Sequence, residues 1–323
     1  MPKRFKKSTK SESKILTLKE NLFSGKQKII DFVINYRFSK FFLVCLLLVC
    51  LGFGFWFGRT IVSDHYYKEA LKYQSFGDNS KAIELSQKAI KIFPRDSDYW
   101  RLIGEIKSKQ SLEKIKQTKQ NSASQEEFAK ILREDVGGAL LYLQKAVEID
   151  PDNWQNQFAV GAFYESLIGY IPDAEKQASF SYIHAAELRP DDISMQVAAL
   201  RSLIFYTDRL DSEGRNNEKN QALLLAQNIL NRIKTRKLGD NVYHFYNGLI
   251  LLRSFQYDSA ISELRVASSI FPDNAYLSYE IGLAYFAKGD TDNAKEYLSL
   301  KMVRDSSYGN SANKILEIIS SRR

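Results

Sequence analysis

Three histidines and two cysteines are the residues of this 323-residue chain best suited to metal ligation or thiol chemistry. His65, His184 and His244 stand alone, with no H-x3-H spacing, no cysteine beside them and no acid at ligand spacing. Cys45 and Cys50 both lie in the most apolar stretch, so the rest of the chain has no thiol for a zinc cluster or a disulfide framework. There is no phosphate-binding G-x4-G-K-[ST] loop, no dinucleotide glycine pattern and no G-x-S-x-G elbow. The acid pair Glu126/Glu127 sits in a polar run and reads as a solvated face, because an acid/base couple needs a cleft that perturbs its pKa values. The sequence therefore predicts no catalytic residue, metal, cofactor or small-molecule substrate, and no enzyme.

What remains is organisation. The formal charge of +8 would suit a nucleic-acid binder. Residues 1–40, however, carry eleven Lys/Arg against three acids, which accounts for all of it. The remaining chain is balanced at 35 of each sign, so a nucleic-acid partner is not expected. From Phe41 to Phe57 runs FFLVCLLLVCLGFGFWF, seventeen residues without a charge between Lys40 and Arg59. At about 1.5 Å per residue that covers roughly 26 Å, close to a bilayer's hydrocarbon core. Residues 41–58 are predicted to cross the lipid bilayer once as a transmembrane helix. A cleaved signal peptide would have a far shorter basic region and a small-residue cleavage site, and Val44 and Val49 before the cysteines exclude a lipoprotein site. The Lys/Arg excess places residues 1–40 in the cytoplasm, with the first ~20 disordered, and the body across the inner membrane in the extracytoplasmic space.

Beyond the span a repeat appears. AIELSQKAIKIFP (82–94), ALLYLQKAVEIDP (139–151), ASFSYIHAAELRP (178–190) and AISELRVASSIFP (260–272) share Ala, a larger residue four later, Ala three after that, and Pro five beyond. Between and beyond these lie WRLIGEI, FAVGAFY, FYNGLILL and YEIGLAY, each with one central Gly. The combination resembles the tetratricopeptide repeat, a 34-residue helix-turn-helix unit with Gly and Tyr in its first helix and Ala, a bulky residue, Ala and Pro in its second. The best match is 241–308, where Gly248, Ala260 and Leu264 recur 34 residues later as Gly282, Ala294 and Leu298. The resemblance implies an all-α fold: a right-handed α-solenoid of about six repeats over 63–308, closed by a capping helix at 309–323. Polar insertions are expected near 107–134, as a mobile or partly helical excursion, and near 208–220, as a loop. Lys301, where the last repeat would carry Ala, points to a splayed or solvent-facing end.

In that family the first helices line a concave groove, with ligand contacts at about the second, fifth, ninth, twelfth and thirteenth positions. Carried over, this selects as candidate protein- or peptide-binding residues Tyr67, Phe158, Arg201, Phe205, Phe245, Leu249, Leu252, Arg253, Tyr276, Tyr279, Leu283 and Phe286. Tyr67 and Leu71 occupy the places of the Lys and Asn that clamp chaperone C-termini in related domains, so an apolar segment fits better than a terminal carboxylate. The resulting expectation is a membrane-anchored scaffold or adaptor in cell-envelope assembly or secretion. An organellar import-type receptor with a cytosol-facing body is the alternative.

Overall fold

The computed structural model describes residues 9–120, 124–237 and 239–321. Two units divide the chain, Met1–His65 and Tyr66–Arg323. Helix α1 (Thr9–Ser75) contributes to both. The expectation of disorder over the first ~20 residues is not met at 9–20, which are helical, and 1–8 lie outside the described residues. Lys, Glu and Leu are good helix formers, and no Gly or Pro interrupts the chain from Thr9 to Phe23.

From Phe42 to Phe57 the apolar side chains lie outward. Leu48, Leu51 and Phe55 are 63%, 68% and 70% exposed. Among the described residues, one helix, over Phe42–Ser75, is long and apolar enough to cross a membrane by length and composition. It has no polar face in Phe42–Phe57 to turn toward water, which is why it cannot serve as an amphipathic surface helix.

The second unit is a succession of antiparallel helix pairs. The end of α1 pairs with α2 (Asn79–Ile92). Next, α3 (Ser97–Gln120) packs on α5 (Gly137–Ile149). The pairs α6 (Trp154–Ser166) with α7 (Ala174–Leu188) and α8 (Ile193–Ser212) with α9 (Asn216–Thr235) follow. Then come α10 (Asp240–Arg253) with α11 (Tyr257–Ile270) and α12 (Ala275–Lys288) with α13 (Thr291–Leu298). Helix α4 (Gln125–Ile131) enters α5 through one π turn (Leu132–Val136), and α14 (Lys301–Arg304) and α15 (Gly309–Ser321) close the described chain.

Two local rules build each pair. Two residues beyond each repeat proline stands Asp or Asn, and its side chain accepts the first free N–H groups of the next helix. Asp96 accepts from Asp98 N, Asn153 from Gln155 N and Asp192 from Ser194 N at 3.0 Å each, and Asn274 from Leu277 N at 3.1 Å. Proline stops one helix and the cap starts the next. Within a pair, the glycine of the first helix receives the bulky residue of the second. A Cβ on Gly104, Gly161, Gly248 or Gly282 would come within 2.6, 2.9, 2.6 and 2.7 Å of Leu143, Tyr182, Leu264 and Leu298 respectively. The flanking alanines, among them Ala139, Ala146, Ala178, Ala185, Ala260 and Ala267, have no exposed surface.

At 208–220 the chain is more helical than expected. The stretch 208–220 is a loop only at 213–215, because α8 and α9 each extend to 20 residues. Its charges pair instead of dispersing: Arg209 with Glu213 at 2.7 Å, Arg215 with Glu218 at 2.5 Å, and buried Lys219 with Asp211 at 2.5 Å. Within 107–134, α3 continues to Gln120 and α4 starts at Gln125, while 121–123 lie outside the described residues. Lys114 meets Asp135 at 2.6 Å, and the Lys119 ammonium lies 4.2 Å from the Tyr170 ring centroid. At the other end, α13 stops at Leu298, so exposed Lys301 opens α14 rather than packing where Ala would.

Candidate functional site

The first helices α3, α6, α8, α10 and α12 lie side by side, and polar bridges step along them. Arg101 on α3 donates to Asn156 of α6 at 3.1 Å. Glu165 on α6 accepts two bonds from Arg201 of α8, at 2.8 and 2.9 Å, and a third from the Tyr182 hydroxyl at 2.7 Å. Arg253 on α10 bridges in both directions. It reaches Asp208 of α8 at 3.0 and 3.1 Å and Glu280 of α12 at 2.5 and 2.8 Å. Burial disfavours the Arg253 charge, but the Glu280 and Asp208 carboxylates outweigh it and hold the guanidinium more firmly protonated than usual.

Between these bridges is an apolar recess. Ile204 and Phe205 of α8, Phe245, Tyr246 and Leu249 of α10, Tyr276 of α12, and Tyr308 before α15 surround a cavity of about 170 Å³, with Arg201 also lining it. Its aromatic wall is continuous: Phe245 to Tyr276 at 6.0 Å, Tyr276 to Tyr308 at 5.2 Å, and Tyr308 stacked on Tyr279 at 5.2 Å. Burial pushes the Tyr246 phenol up to about 12, and burial followed by the Glu280 charge raises Tyr276 further.

Five of the twelve sequence-selected residues, Arg201, Phe205, Phe245, Leu249 and Tyr276, meet at this cavity. Phe205 is 42% exposed, whereas Leu249 at 1% and Leu252 at 9% are core side chains. Arg253 is committed to its two carboxylates. Tyr279 joins through Tyr308 and also packs on the cluster of Leu298, Val303 and Ala312. Half-buried Leu283 and Phe286 lie outside the cavity lining, Phe286 against the main core. Phe158 packs on Tyr182 at 5.2 Å. Tyr67 belongs to the first pair, 5.1 Å from Tyr99, with its phenol pushed up to about 12 by burial and by Asp98. Among the described residues no group of three or more His, Cys, Asp or Glu is arranged to hold a metal ion, and His244 meets Glu263 at 2.6 Å and the edge of the Tyr243 ring at 5.5 Å between centroids.

The tetratricopeptide-repeat family model matches residues 275–300, which comprise α12 and α13. Among solved structures, a tetratricopeptide repeat protein from Parabacteroides merdae is similar at 12% identity over 80% of this chain and 93% of its own, with a TM-score of 0.52. The body has the tetratricopeptide-repeat fold, and residues 275–300 are one such repeat. Weaker likenesses are to PilF of Pseudomonas aeruginosa, at 15% identity over 80% of this chain and 99% of that one, TM-score 0.45. Another is MamA from Desulfovibrio magneticus, at 15% over 67% and 97%, TM-score 0.39. No curated protein matches the sequence.

Family register explains which residues the sequence missed in this tetratricopeptide-repeat body. Tyr308 lies past the sixth pair, where no repeat position points to it. Tyr246 and Ile204 sit one place from the selected Phe245 and Phe205, where the register of a divergent repeat cannot separate groove from core. Asp208 and Glu280 are recognisable only through the arginine they share.

Proposed function

We propose that this chain is a non-enzymatic, membrane-tethered scaffold. Residues 41–58 cross the cell membrane, residues 1–40 stay in the cytoplasm, and the helical body outside binds a protein or peptide along its first helices during envelope assembly or secretion. The observation that carries this reading is the apolar, partly open recess on a surface otherwise closed by ion pairs. Partner recognition through such a recess needs only shape and apolar contact, in keeping with a site that holds no reactive constellation.

The test uses a photo-reactive phenylalanine analogue at position 205, and at position 224 of α9, where Leu224 is 63% exposed. In intact cells a discrete crosslink to another protein is expected from 205 and not from 224. Crosslinks to another protein from 224 alone would move the binding surface to the second helices. Topology is read in parallel with single cysteines at positions 10 and 288 in a Cys45→Ser/Cys50→Ser background: an impermeant reagent should label 288 only, and the reverse pattern would place the body in the cytosol.

A further inference from the structure

We infer that the outer faces of α7 and α9, with the recess between them, form the contact through which two copies of this chain pair. Repeat position comes first. In the six second helices, the place two residues after the buried repeat alanine, Ala222 in α9, is held by Glu84, Leu141, Phe180, Leu224, Ser262 and Glu296. The three central side chains, Leu141, Phe180 and Leu224, are 66%, 52% and 63% exposed, so large apolar groups face outward where the flanking pairs carry Glu or Ser. Between α7 and α9 lies a cavity of about 160 Å³, lined by Phe180 and Ile183, by Leu203 and Tyr206 of α8, and by Ala222 and Leu225. At about 3.6 residues per turn, Leu203 and Tyr206 stand on the side of α8 roughly opposite Arg201, Ile204 and Phe205. This face is therefore separate from the recess of the first helices.

Shape and charge both select a second copy. Gln221 and Leu225 of α9 line the hole, and exposed Leu224, three residues beyond Gln221, stands beside them outside the lining. A two-fold contact sets one patch against itself, so it needs the projecting group and the hole on one surface. A cavity of about 150 Å³ lined by apolar groups holds a benzene-sized guest, so a leucine side chain fits here. Charge agrees. From Gln177 to Ala186 on α7 and from Asn220 to Asn231 on α9 there is no Asp, Glu, Lys or Arg. A copy laid on this face meets no like charge there, and a charged partner finds nothing to pair with. The exposed polar groups within these stretches, Gln177, Asn220, Gln221, Asn228 and Asn231, are amides that both donate and accept, so each can bond its equivalent on a copy. Lys176 and Glu218 at the edge of the hole are one of each sign. A lipid surface would be met by Lys or Arg among the apolar groups, and these stretches have neither.

The full chain is expressed in two differently tagged forms, each with a photo-reactive phenylalanine analogue at position 224 or at position 84, the equivalent place on α2. After irradiation of intact cells, position 224 should give a product carrying both tags, and position 84 should give none. The purified full chain in detergent, followed by sedimentation over a dilution series, should pass from dimer to monomer. Leu224→Glu, at an exposed position, should weaken that pairing by at least about thirtyfold, the loss usual for a central interface contact, with helix content and melting temperature near wild type. Where that variant unfolds, Leu224→Gln serves the same purpose. A chain that sediments as a monomer throughout, a product from 224 that joins one tag to a different protein, equal double-tagged product from both positions, or unchanged pairing in a folded variant would overturn the inference. Position 205 reads the scaffold's partner on the opposite side of α8, so its crosslink stands or falls independently of this pairing.

Discussion

At the scale of single residues the fold rests on close approach. Gly248 lies so near Leu264 that an added Cβ would fall 2.6 Å from Leu264 Cγ, while a Cβ on helical Gly138 would meet nothing within 4 Å. The same substitution should therefore change stability in opposite directions. Alanine gains about 0.5–1 kcal/mol over glycine inside a helix, and overpacking costs about 1–3 kcal/mol. Gly138→Ala should raise the melting temperature, and Gly248→Ala should lower it by roughly 2–4 °C for each net kcal/mol lost. Equal shifts in thermal melts would mean that α10 and α11 can part without cost. The glycine was legible in the sequence as a packing residue. Its partner was legible only as a bulky residue between alanines, because spacing within one helix does not say what faces it. The cap two residues past each proline, at Asp96, Asn153, Asp192 and Asn274, was present in the sequence too, and its recurrence marks the start of every first helix that follows a repeat proline.

At the scale of elements, the first helices are held in register by side chains that repeat spacing cannot reveal. Arg253 joins α8 to α12 from α10, and Glu280 at 2% side-chain exposure has its charge answered there. Removing one partner of a buried pair leaves the other charge uncompensated, at about 3–5 kcal/mol, whereas replacing both with apolar groups is often close to neutral. Arg253→Met should thus destabilise the body strongly, and Arg253→Met with Glu280→Leu should recover most of the loss. Denaturant unfolding of both variants checks this, and a double variant as unstable as the single one would mean that Asp208 is the partner that matters. The helix pairs followed from the Ala, Gly and Pro pattern, but the cavity did not. It forms where Tyr308, from beyond the sixth pair, closes over Phe245 and Tyr276. The stretch 208–220 also misled, since its polar composition reads as loop while its ion pairs sustain helix.

For the whole molecule, buried phenols set an alkaline limit. Tyr67 and Tyr246 are pushed up to about 12, chiefly by burial, and Tyr182 and Tyr276 are raised as well. The folded state keeps these protons where the unfolded chain, with phenols near ~10, gives them up. Their contribution is therefore complete below pH ~10 and is lost as pH climbs from there through about 12. Stability measured in denaturant should fall over that window, and the phenolate absorbance of this group should appear together with unfolding. Ionisation of every tyrosine near pH ~10 with the helices intact would contradict it.

The proposed tether depends on a different balance, between one apolar helix and water. The side chains from Phe42 to Phe57 lie open, Leu51 at 68% and Leu47 at 55%. An arginine at the centre of a spanning helix costs about 2.5–3.5 kcal/mol on insertion, against a gain of only some tenths for each leucine. Leu47→Arg with Leu51→Arg, one turn apart, should therefore cancel the insertion energy of a segment this short. The wild-type chain should remain in the membrane pellet through an alkaline carbonate wash, and the double variant should move to the supernatant. Both substitutions lie in Met1–His65, outside the helix-pair unit, so circular dichroism of the released protein should still report folded helix pairs. A double variant that stays in the pellet while folded would mean that something other than residues 41–58 holds the chain to the membrane.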